Sequence, residues 1–415
     1  VNKRKIAMFH NVPYGGALRG VLEIGRRLKE DFEVDLVEFD MNRQMPDLWN
    51  FRPIEAAFNE ADGDYFSRVV RFDDPRHDFA PLAQRFGQEG LGRFLPFCLL
   101  WDLYSIKRAY GNVQRYLNRE GYDLVLVSPS RLTQAPYFIE GARAKVVYFC
   151  HEPWTKRFSG PAKRTENSIK RFAYRALEAK MAREDSVNTR AADLVLANSE
   201  FSKSRIEKVY GKSCMVFYFG VDADRFKPST AETGRPNRVV AVSALFPYKG
   251  QDFILSSIAG LEPELRPEIV FCFSRYDPKF RLELEEKARM QGIEVKMVEG
   301  ASDEEIVRLY NTCRAAVFAP FAEPFGMVAL EAMSCGLPVV GVADGGLRET
   351  VIEGVTGFLT QRDENAFADA LTTVLSDDLL RRNMGLAARK VIEEKWTWDA
   401  SASRLRTIIN SILAD

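Results

Sequence analysis

The sequence predicts an α/β protein made of two doubly wound, Rossmann-like domains of near-equal size. Three observations point there. Apolar strands alternate with amphipathic helices along the whole chain, the pattern of βαβ units around parallel sheets. A stretch rich in Pro, Gly and polar residues near the middle, "YFGVDADRFKPSTAETGRPNR", interrupts that alternation as a linker does. The chain's 415 residues also exceed what one hydrophobic core ordinarily holds.

Taken in order, "KIAMFHNV" reads as a strand and "ALRGVLEIGRRL" as a helix. The strand "FEVDLVEF" follows, then a long helical region from about Pro81 to Arg119, then the strands "YDLVLVSP", "AKVVYFCH" and "DLVLANS". After the break the pattern restarts with "RVVAVSAL", "EIVFCFSR", "EVKMVEG", "AAVFAP" and "PVVGV", each with a helix. The division falls between 1–217 and 218–397. The last segment, "WTWDASASRLRTIINSILAD", opens on two tryptophans and continues as one amphipathic helix over 398–415. In such folds ligands bind at the carboxyl ends of the strands.

Composition narrows the function. Hydrophobic content of 46% with 28% charge is that of a soluble globular enzyme. Lys plus Arg equals Asp plus Glu at 58 each, so no net field favours nucleic acid or a membrane. The six cysteines are scattered with no C-x-x-C, which fits small core residues in a reducing compartment. The start "VNKRKIAMFHNV" reads as a charged lead into a strand and not as a secretory leader. No apolar run approaches the ~20 residues of a spanning helix. A cytoplasmic protein is expected.

The chemistry concentrates in "EPFGMVALE", residues 323–331. Between Glu323 and Asp344 the only charged residue is Glu331, set in a helix of otherwise apolar or small residues. An unpaired buried charge costs several kcal/mol or more, so about that much must be recovered from a partner or a ligand. The helix starts near Phe325 or Gly326, where free N–H groups and the positive dipole end suit a phosphate and Gly326 permits close approach. Glu331 lies roughly 7.5 Å further along the axis. Glu323 and Glu331 thus bracket a diphosphate, one carboxylate accepting from a sugar and the other from a ribose. The alternative is a Glu331 bound to an internal Arg or Lys.

Other stretches add candidates. Lys249, in "VSALFPYKGQDF", follows a strand and precedes a helix, where an ammonium can neutralise a diphosphate or simply sit solvated in a turn. "YGGALRG" places Gly15 and Gly16 at a helix N-terminus but is not G-x-G-x-x-G, so a dinucleotide site is poorly supported. His151 ends the strand "KVVYFC"; His10 ends the first strand and is a weaker candidate; His77 reads as surface. D-x-D occurs at Asp62 to Asp64 and at Asp222 to Asp224, both read as turns. Nine basic residues lie between Lys156 and Arg183, either a solvated helix face or a patch for anionic lipid. "FLPFCLLWDLY" at 94–104 reads as a buried helix, with a membrane-facing surface as the alternative.

These motifs resemble those of the retaining GT-B glycosyltransferases of family 4. "EPFGMVALE" is similar to the family's E-x7-E signature, "YFGVDADRFKP" to its interdomain segment with Phe219 where Asn is usual, "ANSEFSKSRI" to its S-x-F-S-K turn, and "DGGLRETVIEGVTGFL" to its G-G-x-x-E segment. The resemblance covers nearly the whole chain, most firmly 195–400. It implies a GT-B fold, two Rossmann-like domains facing each other across a deep cleft, with the terminal helix crossing back to the first. It implies that Glu331 binds the nucleotide ribose, that Glu323 binds the donor sugar with the backbone of Phe325, Gly326 and Met327, and that Lys249 stabilises the diphosphate. Gly16, Ser243, Arg275, Val298 and Val328 complete the implied donor set; Gly15, Gly16 and His151 form the acceptor set; His151, Lys249 and Glu323 are the catalytic set. In the pattern V-G-R-L-x-x-x-K-G the arginine falls on Ala244 and its glycine on Ser243, so Arg275, ending a neighbouring strand, is the candidate replacement.

The resulting expectation is a metal-independent, cofactor-free retaining hexosyltransferase using a UDP- or GDP-sugar. Its acceptor would be a glycan, a lipid-linked glycan or another hydroxyl compound, in surface polysaccharide or glycoconjugate synthesis, with peripheral contact at the inner membrane face as an open option and no nucleic-acid partner. The rivals are a GT-B sugar-nucleotide epimerase or phosphorylase, a catalytically weak nucleotide-sugar binding protein, and, least supported, a dehydrogenase.

Overall fold

The computed structural model describes residues 3–11, 16–40, 65–73, 101, 103–130, 133–154, 168–229 and 235–414. The chain divides into two compact units. Unit 1 comprises Val1–Asn198, Lys203–Phe217 and Ala402–Asp415; unit 2 comprises Ser199–Ser202 and Tyr218–Ser401.

Unit 1 is built on a seven-stranded sheet: β1 (Lys5–Asn11), β2 (Glu33–Asp40), β3 (Arg68–Asp73), β4 (Leu124–Ser130), β5 (Lys145–Cys150), β6 (Leu194–Ala197) and β7 (Met215–Val216). Its order is β3-β2-β1-β4-β5-β6-β7, and every pairing is parallel. β4 is buried at every residue and β5 at all but its first, because helices cover both faces of a parallel sheet. The edge strand β3 is only half-buried and was not legible as a strand in the sequence.

The helix over 103–120 buries Ile106, Tyr110, Val113 and Leu117, the spacing of a single apolar stripe. Trp101 and Tyr104 fall off that stripe and are 46% and 63% exposed. The expectation of a buried helix at 94–104 therefore fails at these two positions; the rest of that run, except Leu103, lies outside the described residues.

Unit 2 carries a six-stranded sheet: β8 (Arg238–Val242), β9 (Glu268–Phe273), β10 (Val295–Glu299), β11 (Ala315–Phe318), β12 (Val339–Val342) and β13 (Gly357–Thr360). The order is β10-β9-β8-β11-β12-β13, again wholly parallel. Its core joins Val239, Ile269, Phe271 and Val317 of the strands to Leu255, Phe367 and Leu371 of the flanking helices.

Within each sheet the chain runs outward from a central strand, then returns to the other side of it. That reversal lies between β1 and β4 in unit 1 and between β8 and β11 in unit 2. The loops leaving two adjacent strands there diverge to opposite faces and open a crevice at the carboxyl ends. The last helix, Trp398–Ile412, starts in unit 2 and continues in unit 1. In unit 1 its Arg406 donates to the Arg27 carbonyl at 2.6 Å and pairs with Glu30 at 2.7 Å and Asp31 at 2.5 Å.

Candidate active site

In unit 2 the crevice is lined by the loops that leave β8 and β11. Ser243, the first residue after β8, donates its N–H to the Cys272 carbonyl at 3.0 Å. The buried amide of Gln251 holds the Ser243 hydroxyl and the Ala244 carbonyl, both at 2.9 Å. Leu245 N–H reaches the Arg275 carbonyl at 2.8 Å, so the loop after β9 runs beside Ala244. Arg275 is exposed, and its guanidinium makes no ion pair among the described residues. Val298 stands apart, half-buried on the edge strand β10.

Lys249 ends a single 3-10 turn, Pro247–Lys249. Gly250 follows at φ 72°, where a Cβ would lie 2.0 Å from the Ala319 carbonyl oxygen, so only glycine lets this turn press on the strand-β11 loop. The approach brings Lys249 Nζ to 2.7 Å from Glu323 Oε2, with both side chains about one-fifth exposed. The two residues are 74 positions apart in sequence.

The loop 319–324 is tied down through its main chain. Arg362 donates to the carbonyls of Ala319 at 2.9 Å and Pro320 at 2.7 Å. Phe321 N–H reaches the Tyr248 carbonyl at 2.9 Å and Ala322 N–H the Asp344 carboxylate at 3.1 Å. Gly346 N–H donates to the Glu323 carbonyl at 2.8 Å, and the Ser199 hydroxyl donates to the Pro324 carbonyl at 2.5 Å. Gly345 and Gly346 leave no room for side chains here: a Cβ would sit 2.1 Å from the Glu323 oxygen or 2.5 Å from the Pro324 oxygen.

The helix Met327–Ser334 begins at Gly326, which is left-handed (φ 90°, ψ 47°) and offers no side-chain cap. Ala329 N–H turns back to the Gly326 carbonyl at 2.9 Å; the N–H groups before it in an α-helix have no partner within the helix and suit an anion or water. Phe325 is buried against Tyr218, ring centroids 5.9 Å apart, and Trp396, 5.7 Å apart. Met327 and Val328 are half-buried. Glu331 is 5% exposed among Ala329, Leu330, Ala332 and Met333, all of them buried. Burial pushes the Cys335 thiol up to about 12, and the nearby charge of Glu331 pushes it the same way.

In unit 1, Gly16 opens the helix Gly16–Leu28 just beyond β1; Gly15 lies outside the described residues. His151 follows β5 and is half-buried. Burial pushes its imidazole down to about 4, so the ring is neutral at neutral pH. Its loop is pinned at Trp154, whose N–H donates to the Tyr210 hydroxyl at 2.7 Å; that hydroxyl donates in turn to Asp185 at 2.5 Å. His10 stands opposite Glu38 in the β1–β2 register, 3.1 Å from its carboxylate, and Arg71 holds the other oxygen at 2.7 Å. Burial alone would raise the Glu38 carboxyl, but the bonds and charges of His10 and Arg71 outweigh it and hold it below the usual range. His77 lies outside the described residues.

Among the described residues no group of three or more His, Cys, Asp or Glu side chains is placed to hold a metal ion. Asp222 caps a turn, accepting from the N–H groups of Asp224 and Arg225; Asp62 and Asp64 lie outside the described residues.

The Glycosyltransferase Family 4 model matches residues 14–225, and the Glycosyl transferases group 1 model matches residues 222–391. The chain belongs to the family-4 glycosyltransferases. It is 24% identical over 372 residues to an alpha-1,3/1,6-mannosyltransferase of Dictyostelium discoideum, covering 79% of this chain and 83% of the relative. It is 30% identical over 243 residues to a GDP-mannose-dependent alpha-(1-6)-phosphatidylinositol monomannoside mannosyltransferase of Mycolicibacterium smegmatis, covering 53% of this chain and 62% of the relative. Anabaena HepE, solved in complex with UDP and glucose, superposes with a TM-score of 0.69 at 21% identity, over 98% of this chain and 100% of its own. The fold is GT-B.

Several residues that shape this glycosyltransferase's crevice had no assigned job in the sequence reading: Gln251, Asp344, Arg362 and Glu349. Glu349 accepts the N–H groups of Glu200 and Phe201 at 2.9 and 3.0 Å and the Tyr218 hydroxyl at 2.8 Å, all within unit 2. The glycine pair beside Asp344 was the available signal, since two adjacent glycines mark a close backbone approach.

Gly345→Ala is expected to lower stability by about 1–3 kcal/mol through strain and clash with the Glu323 carbonyl. Gly354→Ala is the control, because Gly354 is also left-handed but has nothing within 4 Å. Equal thermal midpoints for the two variants would contradict the role given to Gly345. The low value at His151 gives a second expectation. An ordinary imidazole titrates near about 6.5, whereas His151 should stay neutral until close to about 4. As pH falls through that window the unfolded chain takes up a proton that the folded chain refuses, so stability declines. A carbon-detected imidazole titration that places His151 at or above about 6 removes the assignment.

Proposed function

We propose that this glycosyltransferase is a retaining hexosyltransferase that takes its sugar from a nucleoside-diphosphate sugar and delivers it to a hydroxyl of a glycan, glycolipid or lipid-linked acceptor. The observation that carries the reading is the Lys249–Glu323 pair, 2.7 Å apart, beside the uncapped helix end at Gly326 and on the same crevice as the helix bearing buried Glu331. An ammonium, a carboxylate and free helix N–H groups together match a sugar diphosphate: cation and dipole for the phosphates, acceptor for the sugar hydroxyls.

In this reading Lys249 leaves Glu323 for the diphosphate, and Glu323 turns to the sugar. The backbone at Phe325, Gly326 and Met327, with Val328 alongside, receives the phosphates and sugar. Glu331 accepts from the ribose. Arg275, beside Ala244, supplies the second cation, and Ser243, Val298 and Gly16 complete the donor set. Gly15, Gly16 and neutral His151 serve the acceptor and the transferred sugar. The acceptor oxygen bonds to the anomeric carbon on the face the phosphate leaves. The carbon–phosphate oxygen bond breaks, and the acceptor proton passes to the departing phosphate oxygen. Lys249 stabilises that leaving group without a metal.

The mannosyltransferase relatives make GDP-mannose the first donor to test, and the UDP complexes of the structural neighbours keep UDP-sugars beside it. We place the enzyme in the cytoplasm. The exposed Trp101, Tyr104 and Phe172 support contact between unit 1 and a lipid-linked acceptor at the inner membrane face, and the work in surface polysaccharide or glycoconjugate synthesis.

The test is incubation with GDP- and UDP-hexoses and hydroxyl acceptors, with the product anomer read by NMR. The expected product keeps the donor's α configuration and forms undiminished in EDTA. A β product refutes retention; activity restored only by added metal refutes metal independence. Glu331→Ala is expected to raise the donor KM at least tenfold, about 1.4 kcal/mol or more. An unchanged KM removes Glu331 from the ribose.

A further inference from the structure

A second basic pocket lies in unit 2, away from the Lys249 crevice, on the opposite end of the helix Met327–Ser334. Five arginines line it: Arg235, Arg314, Arg381, Arg382 and Arg389, with Asp378 the one acid among its lining residues. Its floor is where two glycines meet, since a Cβ on Gly385 would lie 2.2 Å from the Gly336 carbonyl oxygen.

Three of these arginines have a structural task. Arg235 donates to the Cys313 carbonyl at 3.0 Å, Arg314 to the Leu375 carbonyl at 3.2 Å, and Arg389 to the Ser334 carbonyl at 2.9 Å. These oxygens close the helices Asp303–Thr312, Glu364–Ser376 and Met327–Ser334, so each guanidinium satisfies a helix C-terminus. Such acceptors are neutral groups and leave the full charges in place. Two of the five are matched by carboxylates: Arg381 by Asp378 and Arg389 by Glu393, both at 2.6 Å. Arg314 and Arg382 make no ion pair with a carboxylate among the described residues. The field of the cluster registers on its one acid. The Asp378 carboxyl is held below its ordinary value, first by its bond to Arg381 and further by the charges of Arg314 and Arg382.

Guanidinium clusters of this density match phosphate oxygens through paired N–H donors. The cavity measures about 220 Å³. That is below the ~300–1,000 Å³ of ordinary small-molecule sites, so it suits a phosphate or diphosphate group and not a whole nucleotide sugar. Leu386, 71% exposed, stands at the rim.

We propose that this arginine pocket is a binding site for a multiply charged phosphate group, separate from the donor crevice. The group is either a free oligophosphate or a phosphomonoester headgroup of a lipid.

The probes are inorganic pyrophosphate, by calorimetry, and vesicles containing phosphatidic acid, by co-sedimentation, both with the full chain. Because the donor crevice also suits a diphosphate, Lys249→Ala and Arg382→Glu are compared. Arg382 is exposed, so its replacement is expected to leave the fold intact, which an unchanged thermal midpoint checks. Binding that survives Lys249→Ala and weakens at least tenfold in Arg382→Glu supports the pocket. Asp378→Asn, which removes the one lining acid, is expected to tighten it. Pyrophosphate binding alone assigns a free anion, and vesicle binding displaced by pyrophosphate assigns a headgroup. Binding of neither probe, or binding lost in Lys249→Ala and kept in Arg382→Glu, overturns the proposal.

Discussion

The structure around the crevice depends on one constraint: the segment 319–324 is fixed by its backbone and not by its side chains. The carbonyls of Ala319, Pro320, Glu323 and Pro324 all accept a hydrogen bond from outside the segment, and the N–H groups of Phe321 and Ala322 donate one. Each bond is a modest net contribution, of order 1 kcal/mol, but leaving any one of these groups buried and unmade costs more. The loop therefore has few alternatives to its observed course. Because the main chain is held, the Glu323 side chain is free to face Lys249, and the helix after Gly326 leaves the sheet at a fixed angle. A crevice that must present dipoles to a charged ligand gains from such prior fixing, since no reorganisation is then needed on binding.

The glycines follow from the same constraint. Gly250 lets the Lys249 turn press on Ala319, and Gly345 and Gly346 let the loop after β12 press on Glu323 and Pro324. Three loops thus meet backbone to backbone. A Cβ at any of these positions would lie 2.0–2.5 Å from a facing carbonyl oxygen, well inside ordinary contact at 3.4 Å, and would push the loops apart. The ion pair is in this sense an outcome of glycine placement, and the cation and carboxylate reach each other because nothing stands between their main chains.

Much of this was legible in the sequence. The alternation of strands and helices gave the fold class, and Glu331, read as an acid in a helix made for burial, is buried there. Lys249 stood out by its place between a strand and a helix. What stayed hidden had no local signature. Strand β3 is a half-exposed edge with charges at both ends, and β7 has only two residues. Arg362 acts on carbonyls 42 and 43 positions away, and Glu349 accepts from N–H groups 149 and 148 positions away. A charged residue reads as surface until the fold supplies its partner. Trp101 and Tyr104 erred the other way: their aromatic character suggested burial, but the helix over 103–120 has a single apolar stripe and they are not on it.

The Lys249–Glu323 pair also has the strength that the proposed exchange of partners requires. Both side chains are about one-fifth exposed, so solvent screens the attraction. A pair of this kind contributes on the order of 1 kcal/mol or less. It is enough to hold both groups in the crevice and hydrogen-bonded when no ligand is present. In the proposed reading it is too little to compete with a diphosphate, which would bring more than one negative charge to the same ammonium and reach the helix end at Gly326 as well. A fully buried pair would be harder to open, because separating it would strand two charges in a low dielectric. Partial exposure keeps that barrier small, and the fixed backbone keeps the two groups in place while they exchange.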